Sequence, residues 1–398
     1  MLGALLLVRF ADELFGFLPA GTLPQIRAEM HLSYAQAGLL LAMPSVGGIL
    51  GLPMSLAADH VSRRALASAG ALAVGICFIG FGASPVFAGI AVAAFLWGAA
   101  SDAFNVGSSV ALVDISGRHL TAALSRANLL SSVGDLLSPA LLAFAAAVGV
   151  GWRWLFAGSG GLMLGYAAWL AASPLPPPHP SAEKSVARGV VEVIRDGRVW
   201  LLATAQALLA LVDEPYLAFL ILFLLQVRGI PTPVGILVAM ADLAGAALGS
   251  MVAAVLLERR PRTVMTACGV GMAVGLGVLI TATSLPAMFI AAALSGICSA
   301  IVWVGIDARV LGLRPGQAGA TIAVVSAIGL VEIPVPAVVG LVADNRGLFA
   351  AMSLYVGVVI VMTLLMPAVG ALRPGDDVVE DAEDAAEGRA TGRVERRL

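Results

Sequence analysis

The chain has 398 residues, of which 60% are hydrophobic and only 12% charged, with a mean hydropathy of +0.97. Soluble globular chains are about 45–50% apolar and about 25% charged, so the composition excludes a water-soluble fold and makes lipid the solvent for most of the chain. The net charge of −2 offers no basic field for nucleic acid. Cys77, Cys268 and Cys298 lie in apolar runs without ligand spacing, against a disulfide framework or a metal site.

Runs of about 20 mostly apolar residues read as membrane helices. Breaks at charge clusters, Pro and Gly place twelve spans, near 2–23, 34–57, 66–83, 86–113, 122–148, 153–173, 199–226, 231–256, 264–282, 286–311, 320–342 and 347–371. The first carries Arg9, Asp12 and Glu13, unlike an uncharged signal core, and reads as a span rather than a cleavable leader. Arg9, Asp12, Glu13 and Gly16 share one helix face, with Arg9 in reach of both acids. Span 4 carries a polar stripe of Gly98, Ser101, Asp102, Asn105, Ser108 and Ser109, and span 5 one of Asn128, Ser131, Ser132, Asp135 and Ser138. Between spans 6 and 7, Ser173-Pro-Leu-Pro-Pro-Pro-His-Pro180 stops any helix. The mixed-charge stretch after it reads as a tether or as one short amphipathic surface helix.

Span 7 holds Gln206, Asp213 and Glu214, followed by Pro215, which predicts a kink. Asp242 in span 8, near Gly245 and Gly249, reads either as a cavity residue or as one hydrogen-bonded at a close helix contact. Ser295, Ser299, Trp303 and Asp307 recur every four residues in span 10, and Glu332 sits within span 11. The tail from 372, acidic and free of aromatics, reads as disordered. The predicted organisation is a six-helix bundle over 1–173, a linker over 174–198, a second bundle over 199–371 and the tail over 372–398. With the N-terminus inside, eighteen Lys and Arg residues fall on the inner side and four (Arg27, Arg153, Arg228 and Arg346) on the outer. That asymmetry predicts a multi-pass protein of the inner (plasma) membrane with both termini cytoplasmic.

The halves repeat at an offset of about 200 residues: Asp12-Glu13 matches Asp213-Glu214, Asp59 with Arg63-Arg64 matches Glu258 with Arg259, Arg260 and Arg262, and Gly134–Pro139 matches Gly329–Pro334. Ser55-Leu-Ala-Ala-Asp59-His-Val-Ser-Arg63-Arg64 resembles the loop 2–3 signature of the major facilitator superfamily, G-x-x-x-D-R/K-x-G-R-R, and Ala254–Arg262 resembles its degenerate copy in loop 8–9. Gly151-Trp-Arg-Trp-Leu-Phe156 resembles that family's G-W-R-W-x-F. The resemblance implies an all-α membrane fold of two pseudo-symmetric six-helix bundles, alternating access, and a cytoplasmic latch built from Asp59, Arg63, Arg64, Glu258, Arg259, Arg260 and Arg262. Gly134-Asp-Leu-Leu-Ser-Pro139 partly matches the antiporter element G-x-x-x-G-P, with Ser138 in place of its second Gly, and favours export by resemblance alone.

Asp12, Glu13, Asp102, Asp135, Asp213, Glu214, Asp242 and Glu332 fall near the middles of their spans. Each costs about 2.5–3.5 kcal/mol at the bilayer centre, so they must line a wet cavity, pair, or carry protons. Asp12, Glu13, Asp135, Asp213, Glu214 and Glu332 are therefore candidate proton-coupling groups. Arg9, Asp102, Asn105, Asn128, Gln206, Asp242 and Trp303 are candidate substrate contacts. No nucleotide loop, nucleophile–base pair or metal motif points to an enzyme, a cofactor or a resident metal. The expected function is proton-coupled transport of a small organic or amphiphilic solute by a monomer in the lipid bilayer. The alternatives are transport of a metal ion or Na⁺, solute uptake by symport, and a non-transporting receptor or scaffold on the same fold.

Overall fold

A computed structural model describes residues 2–50, 62–116, 120–173, 193–313 and 318–372. The elements are nearly all helical: α1 (Leu2–Gly16), α2 (Leu18–Glu29), α3 (Tyr34–Gly48), α4 (Arg63–Ala83), α5 (Phe87–Ser116), α6 (Leu120–Ala147), α7 (Trp152–Ala172), α8 (Gly197–Ala210), α9 (Glu214–Gln226), α10 (Thr232–Arg259), α11 (Pro261–Thr281), α12 (Leu285–Gly312), α13 (Ala318–Gly329), α14 (Val335–Arg346) and α15 (Leu348–Val369). Among the described residues, nine stretches are long and apolar enough to cross a membrane. The expected spans near 2–23, 34–57 and 122–148 are not among the nine. Where they are described they are helical, but charged, short or only partly apolar. Linker residues 174–192, Asp59 and the tail from 373 lie outside the described residues.

Three of the expected spans are broken mid-membrane, and proline is the cause each time. The Pro215 ring collides with the carbonyl four residues back, so the helix stops at Ala210 and restarts at Glu214. Pro19 parts α1 from α2 at Phe17. Pro334 and Pro336 reduce the chain between α13 and α14 to a single 3-10 turn, Leu330–Glu332. The sequence anticipated the Pro215 break as a kink and missed the other two.

The helices alternate in direction. One end of the bundle, called distal here, carries the turns near 30–33, 84–86, 148–151, 227–231, 282–284 and 347. There Trp152 Nε1 donates to Glu29 at 2.6 Å, Arg153 Nε donates to the other Glu29 oxygen at 2.8 Å, and Arg153 also donates to the Gly82 and Ser84 carbonyls. Trp152 and Arg153 of the Gly151–Phe156 stretch thus tie α2, α4 and α7 together, while the Phe156 ring stacks on Phe81 with centroids 4.1 Å apart. Glu29, an exposed carboxylate at the helix end, is held below its ordinary range mainly by the Arg153 hydrogen bond. Large apolar side chains such as Trp154, Met251, Ile290 and Leu364 face outward, as a lipid-facing surface requires.

Candidate functional site: a carboxylate-lined cavity at three helix breaks

All three breaks open onto one cavity. It measures about 420 Å³, and Gly16, Pro19, Leu211, Asp213, Pro215, Ile333 and Val335 from the broken helices line it with Pro44, Ser45 and Gly48 of α3. Asp12, Glu13, Asp102, Asp213, Glu214 and Glu332 present carboxylates to it, and no Lys, Arg or His stands among its described lining residues. An adjoining space of about 380 Å³ shares Glu13, Asp213, Glu214 and Trp303 and adds Asp135. Asp213 and Glu214 are exposed only in the sense that the cavity is beside them.

Neutral donors hold the acids of the first half. Ser101 donates to Asp12 at 2.9 Å and in turn accepts from Asn105 at 3.4 Å, and Ser131 donates to Glu13 at 2.9 Å. Glu13 and Asp135 face each other on the adjoining space. Two carboxylates have no donor between them, so a hydrogen bond across the pair needs a proton on one of them. Backbone proximity makes the pairing possible. Gly134 lies against α1, where a Cβ would stand 2.8 Å from the Phe10 carbonyl oxygen and 3.0 Å from Glu13 Cβ. From the second half, Glu214 reaches α1, with Oε1 3.1 Å from where a Gly16 Cβ would be. Glu214 lies within the electrostatic reach of Asp213, Glu13, Asp12 and Asp135, as Glu332 does of Asp213.

The remaining predicted residues divide. Trp303 lines both spaces, and Asp307 follows it by four residues on the same face of α12. Asn105 reaches the cavity only through Ser101, and its Oδ1 is buried without a partner, as is Gln206 Oε1. Asp242 is not among the cavity's lining residues. Arg9 is exposed and forms no ion pair with Asp12 or Glu13 among the described residues. The Asn128 and Arg63 side chains, like Asp59, fall outside the described residues. Arg64, Glu258, Arg259, Arg260 and Arg262 are exposed and form no ion pair among the described residues. Sequence reading missed Trp97 and Tyr355 on the cavity wall. An aromatic inside an apolar span gives no signal until its neighbours are known.

The distal end is sealed between the halves. Ser33 and Gln36 form a capping box at the start of α3, which leaves the Tyr34 and Ala35 N–H groups free. Asp344, near the end of α14, accepts both, each at 2.8 Å. The Tyr34 hydroxyl is hydrogen-bonded to Gln226 at the end of α9, and Arg27 lies over its ring at 3.9 Å. Gly38 meets the Pro336 backbone and Gly340 the Tyr34 backbone so closely that a Cβ on either would overlap a carbonyl. At the other end, α1 is not packed against α8 or α13 to a comparable extent among the described residues.

A polar cavity at proline-broken helices, sealed at one end of an apolar two-bundle protein, is the arrangement of a membrane transporter. The sequence profile described as Major Facilitator Superfamily matches residues 5–259, and the chain belongs to that family. Among solved structures, the fold is similar to that of a bacterial homolog of the human lysosomal transporter Spinster, in an inward-facing and unoccupied conformation. That protein is 16% identical, with 93% of this chain and 96% of that one covered and a TM-score of 0.77. The nucleoside transporter NupG is similar at 10% identity, covering 94% of this chain and 99% of that one with a TM-score of 0.76. No curated protein matches the sequence at a significant level.

Proposed function

We propose that this transporter is proton-coupled, carries a small organic or amphiphilic solute, and works in the export direction. The observation that carries the reading is that Glu13, Asp135, Asp213 and Glu214 crowd around one space, because neighbouring carboxyls can hold a proton that substrate displaces. Glu214, Asp213, Asp12 and Glu332 stand close enough for the proton's position to answer to a cationic or polar guest. The 1–173 and 199–371 bundles rock about the cavity, both termini are cytoplasmic, and the protein works as a monomer in the inner membrane. The distal seal then faces outward, and the described state is inward-facing. Glu258 and Arg259, exposed and without an ion pair among the described residues, suit a cytoplasmic latch that is released in this state, and Asp59, Arg63 and Arg64 complete that latch when it closes. Export rests only on the partial Gly134–Pro139 element.

The test starts with thermal-shift binding of drug-like cations, sugars, amino acids and divalent metals at two pH values. Transport of a hit into proteoliposomes under an imposed pH gradient follows, with Glu13→Gln, Asp135→Asn, Asp213→Asn and Glu214→Gln tested singly. At least one variant should fold and bind yet lose gradient-driven transport. Full gradient-driven activity in all four would overturn the reading.

A further inference from the structure

The lining of the central cavity also restricts what the cavity can hold. Its carboxylates come from both halves, and no basic residue stands among its described lining residues. An anion placed there would meet negative charge across walls of low dielectric, whereas a cation is drawn in. A bare metal ion is a poor match. Hard cations need about six to eight oxygens converging on one point. No three of the described Asp, Glu, His and Cys residues converge closely enough to hold a metal ion. The acids are dispersed around the space, so a matching guest carries its positive charge on a body that fills it.

The rest of the wall suits such a body. Trp97 from α5, Trp303 from α12 and Tyr355 from α15 line it, together with Leu41, Ile333 and Val335. The Trp97 ring packs edge-on against Phe78 with centroids 5.1 Å apart, and Tyr355 against Tyr216 at 5.3 Å, so both are held before a guest arrives. Indole faces attract cations more strongly than other aromatic rings do. Tyr355 is 1% exposed, and its hydroxyl has no hydrogen-bond partner. Folded proteins leave few buried polar atoms unpaired, and one on a cavity wall is a point for a guest to satisfy. The 420 Å³ of the cavity equals about fourteen waters at about 30 Å³ each, room for a molecule rather than a single ion.

Glu13, Asp213 and Glu214 face both spaces, whereas Asp12, Asp102 and Glu332 face only the larger one. Asp12 already accepts from Ser101. Asp102 shares α5 with Trp97 and reaches towards α3, where its Oδ2 stands 3.1 Å from the position of a Gly48 Cβ. Resting on the transport function proposed above, we propose that the substrate is an organic cation. It is a protonated or quaternary amine on an aromatic or aliphatic body, with Asp102 balancing its charge and Trp97, Trp303 and Tyr355 holding the body.

The experiment is equilibrium binding of tritiated tetraphenylphosphonium to the purified full-length protein, at fixed pH and ionic strength and without a gradient. Benzyltrimethylammonium should displace the label, while benzenesulfonate, neutral benzyl alcohol and Mg²⁺ at the same concentration should not. Asp102→Asn should raise the Kd of both organic cations about tenfold. Trp97→Leu should raise it about three- to thirtyfold, and Trp97→Phe should recover part of that loss. If Trp97→Leu does not fold, Asp102→Asn and Trp97→Phe carry the test. Absence of saturable binding would overturn the proposal, as would displacement by benzenesulfonate, benzyl alcohol or Mg²⁺ equal to that by benzyltrimethylammonium. So would cation binding that is unchanged in the Asp102 and Trp97 variants. Failure of proton coupling looks different: the cations bind as described, but their transport ignores an imposed pH gradient.

Discussion

Replacing Asp344 with Asn should loosen the distal seal without unfolding the protein. In the structure its carboxylate accepts the first two free N–H groups of α3, at 2.8 Å each, across the interface between the halves. A hydrogen bond to a charged acceptor is worth about 1.5–3 kcal/mol where water is excluded, and a negative charge at a helix N-terminus adds about 0.3–1 kcal/mol. Asp344 is exposed, so water re-solvates the freed N–H groups, and Asn keeps one acceptor oxygen. Both facts lower the loss to about 1–2 kcal/mol, a shift of about 5–30-fold toward the distally open state. The probe is a cysteine at Leu41, on the cavity wall, in a background lacking Cys77, Cys268 and Cys298. Labelling by a membrane-impermeant maleimide added on the distal side should accelerate by that factor in Asp344→Asn, and more in Asp344→Ala. An unchanged rate in correctly folded protein would show that Gly38, Gly340 and the Tyr34–Gln226 contact hold the seal without the charge.

Glu29→Gln tests the clamp at the start of α7. The folded-state pKa of Glu29 is depressed by Arg153, so its stabilisation is full above the unfolded value of about 4.3 and is lost as pH falls through the lower folded value. At neutral pH the variant should be less stable by about 1 kcal/mol or less, the scale of an exposed pair. The Tm gap to the parent should close in acid, and a pH-independent gap would exclude a charge effect. Gly296→Ala would drive a Cβ into the Asp242 carbonyl oxygen and to 2.9 Å from the Ala246 nitrogen. Backbone cannot swing aside as a side chain does, so about 1–3 kcal/mol of stability should be lost, read as a lower Tm; an unchanged Tm would mean that α10 and α12 separate freely. Asp307→Asn removes the charge that stands one helical turn from the Trp303 indole on the same face of α12. Substrate affinity should fall with Tm nearly unchanged, and equal affinity would make Trp303 a passive wall.

The one-dimensional pattern carried the membrane class and nine of the twelve expected spans, because insertion into lipid selects on apolar length and on charge, both properties of short stretches of chain. It also marked the break at Asp213, since Pro215 acts on the carbonyl four residues back. Which acids share a cavity was not legible. Asp12, Glu13, Asp135, Asp213 and Glu214 meet only because Gly16 and Gly134 let α1, α6 and the start of α9 come together, and no periodicity encodes the approach of helices about 200 residues apart in sequence. Asp242 carries the same charge in the same kind of span, yet it is absent from the lining of that cavity, with its backbone packed against Gly296 of α12. Asp344 looks like an ordinary helix-end acid until α14 is laid beside α3 and its oxygens meet the free N–H groups of the other half. Local sequence sets what each helix is and how deep its charges lie. Which partner each charge finds depends on contacts between helices, and those exist only once the chain is packed.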